Sequence, residues 1–310
     1  MKKKVLVVGS SNIDLTLISE KLPRPGETIT ADKFMIFYGG KGANQAIAAR
    51  KAGADVNFIT RLGTDASGKD YRARLLKFGF PSGAICEDKK VKTGTALITV
   101  NKKGENLISV YQGSNKNLSP ADIRKNIKYF AESCVLLLQF EIPFETVCES
   151  LKIAKKLGLT TIVNPAPARK IPENVYKLID VITPNIREAV CLSGKNIRTQ
   201  DDIKKSALIL SKKGPSTVII TLGNKGIALF HNGVVKFIKA PKVKAIDTTG
   251  AGDAFNGALA AFLSESFDMT KSAKMAICAA ALSVQKAGAQ TALPARSEID
   301  KFYKKVGLTR

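Results

Sequence analysis

Residues 135–164 read VLLLQFEIPFETVCESLKIAKKLGLTTIVN, and this stretch decides the fold. Residues 135–139 form an apolar run of strand length. Pro143 opens an amphipathic helical stretch that stops at Gly158, proline suiting the start of a helix and glycine its end. Residues 161–164 are a second strand. Two strands joined through a helix lie parallel, because the chain needs a full crossover to re-enter the sheet from the same end. Near-continuous apolar runs, rather than alternating ones, mean that both faces of the sheet are covered.

The same rhythm runs outward in both directions. Residues 5–9, 57–60, 181–183 and 217–221 read as strands. Helices are expected over 43–51, stopped by Gly53, and over 67–78, stopped by Gly79. A third opens at the Ser119-Pro120 cap and runs to about Phe130, and a fourth follows Thr199-Gln200-Asp201-Asp202. A hairpin of 227–230 and 234–238 around Asn232-Gly233 extends one edge. The fold class is therefore α/β: a three-layer α/β/α core with a mostly parallel central sheet. Two places break the rhythm. Residues 13–19 and 28–37 flank a Pro23-Arg24-Pro25-Gly26 turn, and 95–100 and 107–111 flank a second turn at 101–106. These four strands belong to no crossover unit and are expected to form a small separate sheet. Its apolar face needs a ligand, which it would cover as a lid, or another subunit.

Composition narrows the function classes. The chain has 310 residues, 45% hydrophobic and 24% charged, the balance of a soluble globular protein. No stretch approaches the roughly 20 apolar residues of a membrane-spanning helix, so no membrane partner is expected. The apolar run after Met1-Lys2-Lys3-Lys4 is too short for a secretion signal and meets polar Ser10, Ser11 and Asn12 at once. Cys86, Cys134, Cys148, Cys191 and Cys278 are odd in number and lack a Cys-x-x-Cys pair, which argues against a disulfide scaffold or zinc site. They favour a reducing, cytoplasmic setting. With His231 the only histidine, a histidine base or multi-histidine metal site has almost nowhere to reside. The formal net charge of +23 is dispersed, as in Lys155-Lys156 and Lys212-Lys213, with no basic block interleaved with aromatics. It reads as a lysine-rich surface that attracts anionic substrates, with no nucleic-acid partner.

The chemistry is concentrated in Asp247-Thr248-Thr249-Gly250-Ala251-Gly252-Asp253-Ala254-Phe255, which runs directly into a helix reaching about Leu263. Small residues at a helix start present unpaired N–H groups at the positive end of the dipole, an anion site. Gly250 and Gly252 let a phosphoryl group approach the backbone. The Asp253 carboxylate lies in the first turn, where it can take a proton from an attacking hydroxyl. An anion hole beside a carboxylate supplies what phosphoryl transfer asks of a protein: position, charge stabilisation and an oriented nucleophile. The residues alone leave open that the glycines only turn the chain and that Asp253 only favours the helix start.

A second glycine motif, Gly39-Gly40-Lys41-Gly42-Ala43-Asn44-Gln45, lacks the Ser or Thr that a Walker A loop carries after Gly-Lys. A backbone of this kind suits close approach to a polyol; the alternative is a tight turn capped by Asn44.

With both segments in view, the chain resembles the PfkB-type (ribokinase-like) carbohydrate kinases along essentially its whole length. The likeness runs from Gly9-Ser10-Ser11-Asn12-Ile13-Asp14 through Pro25-Gly26-Glu27-Thr28, GGKGANQA at 39–46, residues 63–68 and NPAPAR at 164–169. It continues through Thr183-Pro184-Asn185 with Glu188, Thr221-Leu222-Gly223, DTTGAGD at 247–253 and Gly288-Ala289-Gln290. GGKGANQA together with NPAPAR points to the members that act on ribose.

The resemblance implies one kinase domain over 1–310, its lid strands drawn from about 13–37 and 95–111. It implies ATP-dependent phosphorylation of D-ribose at O5, with another small sugar or a nucleoside (fructose, deoxyribose, adenosine-like) as the alternative. By the same resemblance Asn12, Ile13, Asp14, Gly40, Lys41, Gly42, Ala43, Asn44 and Glu141 line the sugar pocket, and Asp253 is the base. Gly250, Ala251 and Gly252 form the anion hole. Asn185 and residues Thr221, Leu222, Gly223, Asn224, Lys225 and Gly226 serve the nucleotide with Gly252 and Asp253, and Glu188 serves Mg2+ through water. Asp247, Thr249, Ser283, Lys286 and Gly288 are the positions for a monovalent cation, K+. A further ligand position falls on Ala292, where many members carry serine, with Thr291 next to it. Ile277 falls where members pack a ring on adenine. The apolar face of the lid sheet also points to a homodimer formed through the lid.

Overall fold

The computed structural model describes residues 4–308; residues 1–3 and 309–310, the ends of the expected domain, lie outside the described residues. The chain opens with β1 (Lys4–Val8), β2 (Asn12–Ser19), β3 (Lys33–Gly39), α1 (Lys41–Lys51), β4 (Val56–Gly63), α2 (Ala66–Lys77) and β5 (Ile85–Asp88). It continues with β6 (Gly94–Asn101), β7 (Asn106–Tyr111), α3 (Pro120–Lys125), α4 (Ile127–Ala131), β8 (Ser133–Leu138), α5 (Phe144–Lys156), β9 (Thr160–Val163), α6 (Glu173–Tyr176) and β10 (Val181–Ile182). It ends with α7 (Ile186–Ser193), α8 (Gln200–Lys212), β11 (Thr217–Thr221), β12 (Ile227–His231), β13 (Val234–Ile238), α9 (Ala251–Ser264), α10 (Met269–Ser283) and α11 (Arg296–Lys305).

Nine strands form the main sheet in the order β13-β12-β11-β10-β9-β8-β1-β4-β5. It is parallel from β11 to β5, with β12 and β13 an antiparallel edge. Alternate residues of one strand face opposite helical layers. Val5 and Val7 join the cluster beneath α1, α9 and α10, whereas Leu6 and Val8 join the cluster beneath α5 and α8. Burial on both faces is why these strands read as unbroken apolar runs.

A second sheet, β3-β2-β6-β7, stands apart from the first. Its central pair is parallel, Asn12 lying opposite Gly94, while β3 and β7 join antiparallel. Two sequence expectations shift. The strand expected over 28–37 begins only at Lys33: the ladder to β2 ends at the Ile18–Lys33 pair, where the Ser19 hydroxyl turns to the Lys21 carbonyl at 2.8 Å. The helix expected to run on to Phe130 breaks at Asn126, whose backbone leaves the helical region (φ −101°, ψ 19°) while its Nδ2 donates to the Asp122 carbonyl at 2.9 Å. Among the described residues no helix is long and apolar enough to cross a membrane.

Strand order reverses at β1, which lies between β8 and β4. A crevice opens beyond the carboxyl ends of strands at such a point. The segments leaving β1 and β8 at this point are Gly9-Ser10-Ser11 and Gln139-Phe140-Glu141.

Candidate active site

The first wall of the crevice is the β1–β2 and β3–α1 corners. Gly40 is the N-cap of α1 at φ +88°, and a side chain there would meet the Ser11 and Asn12 backbone at 2.7 Å. A methyl at Gly42 would stand 2.5 Å from the Gly9 and Ser10 backbone, so this glycine is what lets α1 settle onto the end of β1. Gly39 leaves room for the Asp14 carboxylate, which any side chain would overlap. Asn44 does not cap α1; it is the fourth residue of the helix. Glu141 reaches back across the corner, accepting from the Ser10 hydroxyl at 2.6 Å and the Lys41 amide at 3.0 Å, with the Lys41 ammonium at 3.9 Å. The Asn12 side-chain oxygen Oδ1 accepts from Asn115 Nδ2 at 2.7 Å. Ile13 is buried in the core rather than open to the crevice.

The second wall is the start of α9. Gly250 is its N-cap at φ +75°, a left-handed conformation. The Ala254 amide is the first to return to a helix-end carbonyl, that of Gly250 at 2.8 Å, so Gly252 and Asp253 precede any intrahelical bond. The Ala251 amide instead closes a turn onto the Thr248 carbonyl at 3.2 Å. A methyl added at Gly252 would meet no atom within 4 Å: this face is open.

Asp253 lies where the walls meet. It is buried, and each carboxylate oxygen takes an amide N–H: Asn44 Nδ2 on Oδ2 and Gln45 Nε2 on Oδ1, both at 2.9 Å. Burial pushes its pKa up; the Lys41 charge and the two amides oppose this, and Glu141 adds to it. Asp14 is pushed up to about 7 by burial and then by Glu141, against Lys41, with Asp253 adding a little. Lys41 is held above the usual lysine range, chiefly by Asp253, against burial, and then by Glu141, Glu188 and Asp14. One ammonium thus balances four carboxylates.

Beyond α9 opens a cavity of about 640 Å³ lined by Thr221, Gly223, Asn224 and Gly226 on one side, Ala251 and Gly252 at its floor, and Ile277. Leu222 and Lys225 do not line it: Leu222 packs on the core and Lys225 is exposed. The segment carrying Ala240, Pro241, Lys242 and Val243 supplies a further apolar wall that the sequence did not single out. Asn185 and Glu188 form a reciprocal capping box at the start of α7, with Glu188 Oε2 accepting from the Asn185 amide at 2.9 Å. A bridge between Asn185 and Thr221 brings this box to the cavity edge. Burial raises the Glu188 pKa, and the Asn185 donors and Lys41 oppose it.

Asp247 ties two loops together, accepting from the Thr249 amide at 2.9 Å and the Gly288 amide at 2.8 Å. Burial pushes its pKa up, but these hydrogen bonds prevail and hold it below the usual carboxylate range. Ser283 donates to the Ala280 carbonyl at 2.9 Å, and the Lys286 amide returns to the Ser283 carbonyl at 3.4 Å. Ala292 is buried and brings no hydroxyl, while Thr291 donates to the Ala287 carbonyl at 2.8 Å. Among the described residues no cluster of three or more His, Cys, Asp or Glu side chains is placed to hold a metal.

Three residues of the site carried no role in the sequence reading. Gln45 holds Asp253 and donates to Asn164 Oδ1 at 3.0 Å; Gln139 donates to Gln45 Oε1 at 2.6 Å; Gln290 donates to Asn44 Oδ1 at 3.1 Å. Gln45 and Gln290 lay within quoted motifs, but a neutral amide has no charge or ligand signature to mark it.

This geometry agrees with the comparisons. Residues 2–296 match the pfkB family carbohydrate kinase pattern. A ribokinase of Haemophilus influenzae is 40% identical, the match covering 97% of this chain and 99% of that protein. The crystal structure of a Thermotoga maritima ribokinase superposes with a TM-score of 0.90 at 38% identity, covering 97% of this chain and 99% of that one. The Arabidopsis thaliana ribokinase complexed with ribose and ATP gives a TM-score of 0.91 at 32% identity, covering 98% and 99%. The chain belongs to the pfkB family of carbohydrate kinases.

Proposed function

We propose that this chain transfers the γ-phosphoryl group of ATP to the O5 hydroxyl of D-ribose, giving ribose 5-phosphate and ADP. The observation that carries the reading is Asp253, buried between the sugar-side corner at Asn44 and the open helix end at Gly252. Relatives that are ribokinases cover nearly all of the chain, and a TM-score of 0.91 to an enzyme complexed with ribose and ATP supports both substrates.

In this reading the sugar lies between Asp14, Asn12, Lys41, Asn44 and Glu141, with O5 towards Asp253. The carboxylate accepts the O5 proton as oxygen attacks in line. Gly250 and Gly252 amides receive the transferring group, and the Lys41 charge steadies the anions around it. The apolar wall with Ile277 suits adenine, and Thr221, Gly223 and Asn224 flank its sugar and phosphates. Buried Glu188, oriented by Asn185 and within the field of Lys41, suits a hard cation reached through water; when bound, Mg2+ would neutralise phosphate charge. The ionised Asp247, joining the 247–249 and 286–288 loops, suits K+ beside the helix end, with Thr249, Ser283, Lys286 and Gly288 supplying oxygens. Among the described residues the five cysteines are unbridged, which supports a cytoplasmic enzyme. The small sheet acts as a lid on one domain, and its closure excludes water from the transfer.

The test is ADP release with ribose, 2-deoxyribose, fructose and adenosine, repeated on Asp253→Asn. Ribose should give the highest kcat/KM. The variant should lose about 10²–10⁴-fold in kcat while still binding sugar. Preferred turnover of a nucleoside, or near-normal turnover by the variant, would remove this reading.

A further inference from the structure

We propose that Gln290 is a positioning residue for the base: it determines which end of the Asn44 amide faces Asp253. The inference rests on Asp253 being the base, a reading in which Gln290 has no part.

Gln290 is buried at 3% exposure, and its Nε2 donates twice, to Asn44 Oδ1 at 3.1 Å and to the Tyr71 hydroxyl at 2.7 Å. Tyr71, fully buried, donates onward to the Gly39 carbonyl at 2.7 Å. The direction of this chain is set from its far end. An ionised Asp253 only accepts, so Asn44 must turn Nδ2 towards it, at 2.9 Å. Asn44 Oδ1 then faces away and needs a donor, which Gln290 supplies. The phenol, receiving the other N–H of Gln290, passes its own hydrogen to a carbonyl. Each link has one allowed orientation. The second carboxylate oxygen is served separately, by Gln45, whose Oε1 takes Gln139 Nε2 at 2.6 Å.

Without a donor at position 290, Asn44 Oδ1 is left unpaired in a buried place, or the amide turns over and sets its oxygen against the carboxylate. Either weakens the ionised form of Asp253, and reversal does so most. The charged groups that face Asp253 are Lys41 of α1, Glu141 beyond β8, Glu188 of α7 and Asp14 of β2. A change at 290 leaves all four in place.

Two variants of similar size separate the possibilities. Gln290→Met removes the donor without adding charge; Gln290→Glu replaces it with a charged acceptor beside Arg74, to which the Tyr71 hydroxyl can donate only by leaving the Gly39 carbonyl. In Gln290→Met the acid limb of the kcat profile should move to higher pH, by up to roughly the tenfold in proton affinity that a charge-assisted hydrogen bond represents. Gln290→Glu should move it further in the same direction. The same shift should appear without turnover, in a ¹³C titration of the Asp253 carboxyl with Asp253→Asn identifying its resonance. That readout stands even if ribose is not the substrate. Should the Met variant not fold, Gln290→Leu, likewise without donor or charge, carries the test. Lower activity or stability with the Asp253 titration unmoved would reduce Gln290 to a packing residue and overturn the proposal.

Discussion

Asp14 is charged in the sequence but only partly so in the fold. Burial and the neighbouring Glu141 lift its pKa to about 7, above the ordinary carboxylate value. Between those values the folded protein keeps a proton that the unfolded chain has shed. Stability from this group is therefore greatest on the acid side and is lost as pH rises through about 7. On the proposed sugar site, hydroxyls donating to Asp14 would favour its ionised form, so ribose binding should release a proton near neutral pH and tighten as pH rises towards about 7. Calorimetry in buffers of different ionisation heat measures that release directly. It should vanish in Asp14→Asn, whose melting temperature should also fall less than the wild type's between about pH 5 and about pH 8. Equal proton release by both proteins would remove Asp14 from the sugar site.

Two helices make the site, and their glycines divide into those that permit packing and those that permit chemistry. A methyl at Gly257 of α9 would overlap the Gln45 carbonyl and stand 2.5 Å from Ala48 Cβ, so this glycine lets α1 lie close enough for Asn44 and Gln45 to reach Asp253. Gly250 needs its left-handed backbone, and Gly250→Ala should cost about 1–2 kcal/mol. Gly252 is different: its added methyl touches nothing, and alanine favours helix over glycine by up to about 1 kcal/mol. Gly252→Ala should therefore melt no lower than wild type yet, on the proposed mechanism, lose at least about tenfold in kcat, because the methyl would enter the space that the phosphoryl group needs. Denaturation and ADP release on one preparation decide it; unchanged turnover would mean that the open face holds no phosphate. This contrast also marks what the sequence could disclose. The strand–helix rhythm, DTTGAGD and GGKGANQA were legible because period and glycine are local signals. The Gln45, Gln139 and Gln290 contacts were not, since they join residues remote in sequence through neutral amides. Nor was the spent Ala251 amide, which depends on how one turn closes.

Across the molecule, the small sheet has two faces of different character. Asp14, Phe37, Ala96 and Val110 lie in one cross-strand row, on the face that also carries Asn12. The opposite face carries Phe34, Ile36, Leu97 and Leu107, each at least 50% exposed. Every residue of β7 is exposed, and β7 and β3 are both edges with unpaired backbone groups. A second copy of the same sheet, docked here as proposed, would meet an apolar face and two free edges at once. Four such side chains from each copy, regaining about 1 kcal/mol apiece for the half still exposed, come to about 8 kcal/mol. Association costs about 4–15 kcal/mol, so apolar contact does little more than offset that cost and the edges must supply the rest. One buried charge should then suffice to break it. If the wild type sediments as a dimer, Ile36→Glu, at a 58% exposed position, should fold normally by circular dichroism yet sediment as a monomer. Its KM for ribose should rise more than its kcat falls, because the strand bearing Asp14 pairs directly with the one carrying Ile36. A wild-type protein that sediments as a monomer at micromolar concentration would show that this face serves the lid alone.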